Sequence, residues 1–245
     1  MRQSGRAVAL TLKEVEAALR PGLTTAAIDA LAAQTLHKLG ARSPFLHYPN
    51  SLMPEKPFPA SVCISVNDEL VHGVPSDAVV LEDGDIVTVD CGAEIDGWLA
   101  DGAWTFTVGT IDPETQRLLD VTRQALYDCI LAARVGHRTG DISAVIQTTV
   151  ERQGYRVAQQ FTCHGVGRSL HEAPFFFNHG KAGSGVQLRP GMTLALEPMV
   201  FSGSNAVVID EDDGWTVFSE DGGVTAHFEH TIAITEGEPI ILTVE

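Results

Sequence analysis

The stretch V-T-V-D-C-G-A-E-I-D-G-W-L-A-D, residues 87–101, sets the architecture. Asp96-Gly97 is a strong hairpin signal, because both central positions of a two-residue turn need a positive φ that Asp and Gly tolerate. A turn there sets Ile95 opposite Trp98 and Gly92 opposite Asp101. Asp90 and Gly92 share a face, so Asp90 and Asp101 become diagonal neighbours, roughly 7–8 Å apart at the backbone. That is close enough for both carboxylates to grip metal ions about 3.5–4 Å from one another. The bland alternative is two solvated acids, but Asp90 ends the apolar run I-V-T-V, where an unpaired carboxylate is costly.

Working outward, the same pattern recurs. L-E-D-G-D-I-V-T-V-D, ending at Asp90, matches L-R-P-G-M-T-L-A-L-E, ending at Glu197: each is Leu-x-x-Gly followed by a strand that ends in an acid. Asp101, followed by Thr107 and Gly109, matches Glu229, followed by Thr235 and Gly237 at the same distances. Gly22 to Gly40 lies on Gly136 to Gly154, with Thr25 on Thr139, Ile28 on Ile142 and Ala30 on Ala144. Three matches in one chain order predict a duplicated α+β unit, with halves of about 1–112 and 113–245 in a single catalytic domain. A site at the junction collects one acidic pair from each half.

Helical spacing of Val8, Leu12, Val15 and Leu19 predicts a first helix, broken at Pro21-Gly22, and a second runs from Thr25 to near Gly40. A long Pro-rich connection follows, and short strands begin at Ser61 with S-V-C-I-S-V. Helices return from about Pro113 to Arg134 and from Thr139 to Gly154, and strands dominate the remainder.

Glu197 follows M-T-L-A-L, and Glu229 sits in H-F-E-H-T-I-A-I-T, where Phe228, His230, Ile232 and Ile234 alternate away from it. Buried carboxylates need cations, and few basic residues lie near in sequence; metal ions are the natural partners, with a salt bridge to Arg168 as the alternative for one acid. His164 and His171 share the Gly-rich stretch F-T-C-H-G-V-G-R-S-L-H-E-A-P, and His72 lies in E-L-V-H-G-V-P. His37, His47, His137, His179 and His230 are read as structural or surface residues. Four carboxylates and one imidazole suit Mn²⁺, Fe²⁺, Co²⁺ or Zn²⁺ and are unlike a Cys-based zinc centre. Two such ions can share a water, lower its pKa and polarise a carbonyl, which leads to hydrolysis of an acyl bond.

Composition narrows the class. The 245 residues carry 16 Lys and Arg against 32 Asp and Glu, a formal charge of −16, which disfavours nucleic-acid binding. Cys63, Cys91, Cys129 and Cys163 form no CxxC pair, no secretory signal opens the chain, and no apolar run is long enough for a membrane span. A cytoplasmic protein is expected, with a monomer as the default.

S-V-C-I-S-V-N-D, E-L-V-H-G-V-P, the 87–101 stretch, H-G-V-G-R-S-L-H-E-A-P, P-G-M-T-L-A-L-E-P-M-V, D-G-W-T-V and F-E-H-T-I-A-I-T together resemble a type I methionine aminopeptidase. The resemblance covers nearly the whole chain. It implies the pita-bread fold of prolidases and creatinase: an α+β arrangement of two pseudo-symmetric halves around a dinuclear metal site. By it, Asp90 binds one metal, Asp101 and Glu229 bridge both, and His164 with Glu197 completes the second. It further implies a bridging hydroxide attacking the scissile carbonyl, Glu197 shuttling its proton, and His72 and His171 contacting substrate. The substrates would be N-termini of nascent polypeptides and peptides, held by the free amine. The methionine side chain would enter a pocket containing Cys63, Trp215 and Phe58, the last where a tyrosine is common, and Leu170 where many relatives carry phenylalanine.

Two rivals share the fold. A prolidase or Xaa-Pro aminopeptidase typically shows HGxGH and a Gly after Glu-Pro, whereas this chain reads H-G-V-G-R and E-P-M. A non-catalytic peptide-binding relative has usually lost metal ligands, and all five are kept here.

Overall fold

The computed structural model describes residues 1–245. Two helix pairs are laid over short, interrupted strands. Helix α1 (Arg2–Ala18) buries the face that carries Val8 and Val15, and α2 (Thr25–Lys38) starts where the Thr24 side chain accepts the Ala27 N–H at 3.2 Å. Helix α3 (Pro113–Ala132) has Pro at its first turn, and the Asp112 carboxylate accepts from the N–H groups of Glu114 and Thr115. Such caps satisfy donors that the helix leaves unpaired. Helix α4 (Thr139–Glu151) packs on α3 as α2 packs on α1. Both helices of the second half stop two or three residues before the ends expected from sequence.

The first half supplies β1 (Cys63–Val66), β2 (Glu69–Val71), β3 (Ile86–Asp90), β4 (Ala93–Ile95), β5 (Trp98–Ala100) and β6 (Ala103–Thr107). The second supplies β7 (Arg156–Val157), β8 (Thr162–Gly165), β9 (Glu172–Phe177), β10 (Thr193–Leu196), β11 (Met199–Phe201), β12 (Val207–Ile209), β13 (Val217–Ser219), β14 (Thr225–His227), β15 (His230–Ala233) and β16 (Ile240–Ile241). One sheet has the order β1-β3-β6, and β8-β10-β15 runs through the five-stranded sheet in the same antiparallel sense. The expected hairpin is present: Ile95 faces Trp98, and Asp96 and Gly97 have φ of 53° and 71°.

The cores follow the same division. A 17-residue cluster lies within residues 7–108, and a 23-residue cluster takes only Ile86 from the first half. A smaller cluster, with Phe45, Phe58 and Cys63 from one half and Val166, Leu170 and Ala195 from the other, spans the junction. Helix α1 packs against the residues that follow β16: a Cβ at Gly5 would fall 2.1 Å from the Leu242 carbonyl oxygen, so only glycine allows this approach.

Candidate metal centre and substrate cavity

Each suspected carboxylate sits where a strand leaves one sheet for another. Asp90 is the last residue of β3, Asp101 falls between β5 and β6, Glu197 between β10 and β11, and Glu229 between β14 and β15. Breaks of this kind free the side chain from the strict alternation of a continuous strand and aim it into the junction. The seam is pinned by backbone contacts: the Glu229 N–H donates to the Ala103 carbonyl at 2.8 Å. The Thr105 hydroxyl donates to the His227 carbonyl at 2.7 Å and accepts the His227 N–H at 3.0 Å.

The acids converge. Asp90 and Asp101 are close enough to share a proton, and Asp101, His164 and Glu229 offer ligand atoms within 4.8 Å of one another. His164 Nε2 lies 3.3 Å from Glu197 Oε1. Its Nδ1 is 2.9 Å from the Gly165 carbonyl, which can only accept, so Nδ1 carries the proton and Nε2 presents its lone pair to the carboxylates. No Lys or Arg pairs with any of the four acids. Arg168, the sequence alternative, instead stacks over Trp98 at 3.7 Å and donates to the Gly97 carbonyl at 2.9 Å.

Burial is the main cause of the electrostatics. It pushes Asp101 up to about 7, and raises Asp90, Glu197 and Glu229 well above the carboxylate range, with repulsion from the neighbouring acids adding to the effect. Burial holds His164 down at about 4 and His72 at about 4, with His171 contributing to both. Oxygens of Asp90, Glu197 and Glu229 are buried without a hydrogen-bond partner. Four acids, orphaned oxygens and a bare imidazole lone pair form a donor set that fits divalent cations.

The cluster floors a cavity of about 250 Å³. Phe58, Cys63, Leu170 and Trp215 all line it, and Phe58 stands edge-on to Trp215 at 5.3 Å between centroids. His72 and His171 reach it from different elements. The His171 ring lies 4.4 Å from that of His164, and His171 Nδ1 is 2.7 Å from the Tyr48 hydroxyl. His230 turns away from Glu229, its Nδ1 2.8 Å from the Thr243 hydroxyl.

Known proteins match the chain over nearly its whole length. The model of metallopeptidase family M24 matches residues 1–236. The chain belongs to that family. It is 44% identical to methionine aminopeptidase 1 of Bacillus subtilis, over 99% of this chain and 94% of the relative. It is likewise 40% identical to a methionine aminopeptidase of Aquifex aeolicus, over 99% and 94%. Among solved structures, methionine aminopeptidase from Thermotoga maritima superposes with a TM-score of 0.95 at 44% identity, covering 100% of this chain and 95% of that one. Prolidase from Pyrococcus furiosus, at 19% identity and a TM-score of 0.78, covers 100% of this chain and 62% of its own; it shares the pita-bread fold. In this chain the acidic cluster lies at the junction of the two halves.

Several residues of the cavity escaped the sequence reading, among them the polar Tyr48 and His227. Tyr48 comes from the Pro-rich connection, which carries no periodicity. His227 lies two positions before Glu229, and the alternation that turns His230 away puts His227 on the Glu229 face.

Proposed function

We propose that the chain is a methionine aminopeptidase that removes N-terminal methionine from peptides and nascent polypeptides, and that residues 1–245 work as one catalytic domain. The observation that carries this reading is a buried four-carboxylate cluster with no Lys or Arg partner, opening onto a cavity that His72 and His171 also line beside apolar side chains. The full-length matches at 40–44% identity support it.

Asp90, Asp101, His164, Glu197 and Glu229 would hold two divalent ions, of Mn²⁺, Fe²⁺, Co²⁺ or Zn²⁺. When bound, such ions activate water at neutral pH and polarise a carbonyl. The protein residues do the rest. Glu197, beside His164 in the cavity lining, would carry the proton from the attacking water to the leaving amine. The Tyr48 hydroxyl lies 2.7 Å from His171 Nδ1, and by donating there it would leave Nε2–H as a donor for the peptide carbonyl. His72 holds the peptide from the opposite wall. Phe58, Cys63, Leu170 and Trp215 surround the methionine side chain, whose polarizable sulfur packs well against aromatic edges. Peptide bonds in the interior of a chain lack the adjacent free amine that the acidic floor would attract. Four buried unpaired cysteines suit a reducing cytoplasm.

Metal-free protein titrated with each of the four ions and offered Met-Ala-Ser and Ala-Pro peptides provides the test. Methionine release that requires metal supports the proposal, and proline-directed cleavage would replace it with the prolidase reading.

A further inference from the structure

His227 has no role in the mechanism just described, yet it is 1% exposed, and neither ring nitrogen has a hydrogen-bond partner. A buried imidazole left this way forfeits its hydration for nothing, which native interiors rarely tolerate. Its position is fixed, because the Thr105 hydroxyl clasps both its N–H and its carbonyl. Thr88 donates to the same hydroxyl at 2.8 Å, so the clasp is itself anchored on β3.

The ring faces acids. Nε2 is 3.8 Å from Glu197 Oε2 and 4.0 Å from Glu229 Oε2, too far for a hydrogen bond and near enough to share a cation with both. Each of those glutamates also keeps one buried oxygen without a partner. Glu197, His227 and Glu229 offer ligand atoms that all lie within 4.8 Å of one another, the same closeness as in Asp101, His164 and Glu229. Glu229 belongs to both groups, and each contains one imidazole.

We propose that His227 is a sixth protein ligand of the metal centre, donating through Nε2 alongside Glu197 and Glu229. The proposal rests on the two-ion reading of the cluster and adds a nitrogen donor that the five expected ligands do not include. A second imidazole shifts the centre toward Co²⁺, Zn²⁺ and Fe²⁺ and away from Mn²⁺ and Mg²⁺, since imidazole suits the former and oxygen-rich sets the latter.

The test uses the full chain loaded with Co²⁺ and proton NMR in water. A ligating ring keeps its other N–H, and in this buried setting that proton exchanges slowly and appears far outside the normal range. Two such exchangeable imidazole resonances are expected in the unaltered protein, from His164 and His227, and one in His227→Gln. That variant should also bind at least one Co²⁺ roughly tenfold or more weakly by calorimetry. The unaltered-protein count needs no variant, and His227→Asn provides a second substitution should the first fail to fold. Cobalt uptake with a single imidazole resonance, or unchanged affinity in both variants, overturns the assignment of His227 alone. Absence of any divalent-ion uptake overturns this assignment together with the two-ion reading beneath it.

Discussion

The Thr231 hydroxyl accepts the Asp101 N–H at 2.8 Å and donates to the Asp101 carbonyl at 2.7 Å, tying a residue of the second half to the backbone of a suspected ligand in the first. Both partners are buried. Thr231→Val keeps the shape and strands one donor and one acceptor, so it should destabilise the metal-free protein by roughly 2–4 kcal/mol. Urea unfolding measures this, and metal titration should show weaker binding as Asp101 loses its anchor. A loss below about 1 kcal/mol would mean that water replaces the clasp.

The metal-free protein should lose stability as pH rises above about 7. The carboxyls of Asp101, Asp90, Glu197 and Glu229 hold their protons to higher pH folded than unfolded, so the native state binds more protons and ΔG of unfolding falls with pH. Buried His72, His164, His227 and His230, held down at about 3 to 4, act in the opposite sense, but only between those values and about 6.5. Above 7 these imidazoles no longer oppose the acids, and the buried thiols of Cys63, Cys91, Cys129 and Cys163, also raised by burial, add to the decline toward pH 9. Melting curves from pH 7 to 9 should slope downward without metal and flatten with it, and Asp101→Asn should raise the metal-free melting temperature while abolishing hydrolysis. A metal-free profile as flat as the loaded one would contradict the electrostatics of the cluster.

His171→Ala should lower kcat by about 10² or more, the scale of a lost proton donor, with metal content unchanged. Tyr48→Phe keeps the ring and removes only the hydrogen bond that selects the tautomer, so its loss should be smaller. Steady-state kinetics on Met-Ala-Ser beside atomic absorption separates the two effects. Metal loss in His171→Ala would reassign that imidazole to the cation centre.

Leu170→Ala should lower kcat/KM for methionyl peptides by about 10-fold or more, because hydrophobic pockets discriminate by roughly 1–3 kcal/mol per methylene. Leu170 is in contact with the junction cluster but is not a ligand, so cation affinity should be untouched. Equal losses for methionyl and alanyl peptides would show that Leu170 supports the fold rather than the methionine pocket.

Much of the architecture could be read from Asp90 through Asp101. A two-residue turn leaves few geometries, and an acid closing an apolar strand is expensive enough to demand an explanation. The helix ends were less legible, since final turns fray and caps outside the helix decide them. The cavity wall was least legible, because loops distant in sequence assemble it: Asn50 Nδ2 donates to the Gly214 carbonyl at 2.9 Å, and Trp215 Nε1 donates to the Lys56 carbonyl at 2.8 Å. No local pattern announces ties across some 160 residues, and Tyr48 is carried into place by them. His227 was within reach of sequence reasoning, since strand alternation applied to both sides of Glu229 finds it.

The proposed ligands follow one another through the chain from Asp90 to Glu229, so the first is made about 139 residues ahead of the last. During synthesis the first half can collapse around its own core long before Glu229 exists, yet at that stage it offers only one of the two pairs of acids, Asp90 and Asp101. Cation capture therefore waits until Glu229 has been made. A ribosome that stalls early releases a fragment that competes poorly for scarce metal and cuts nothing.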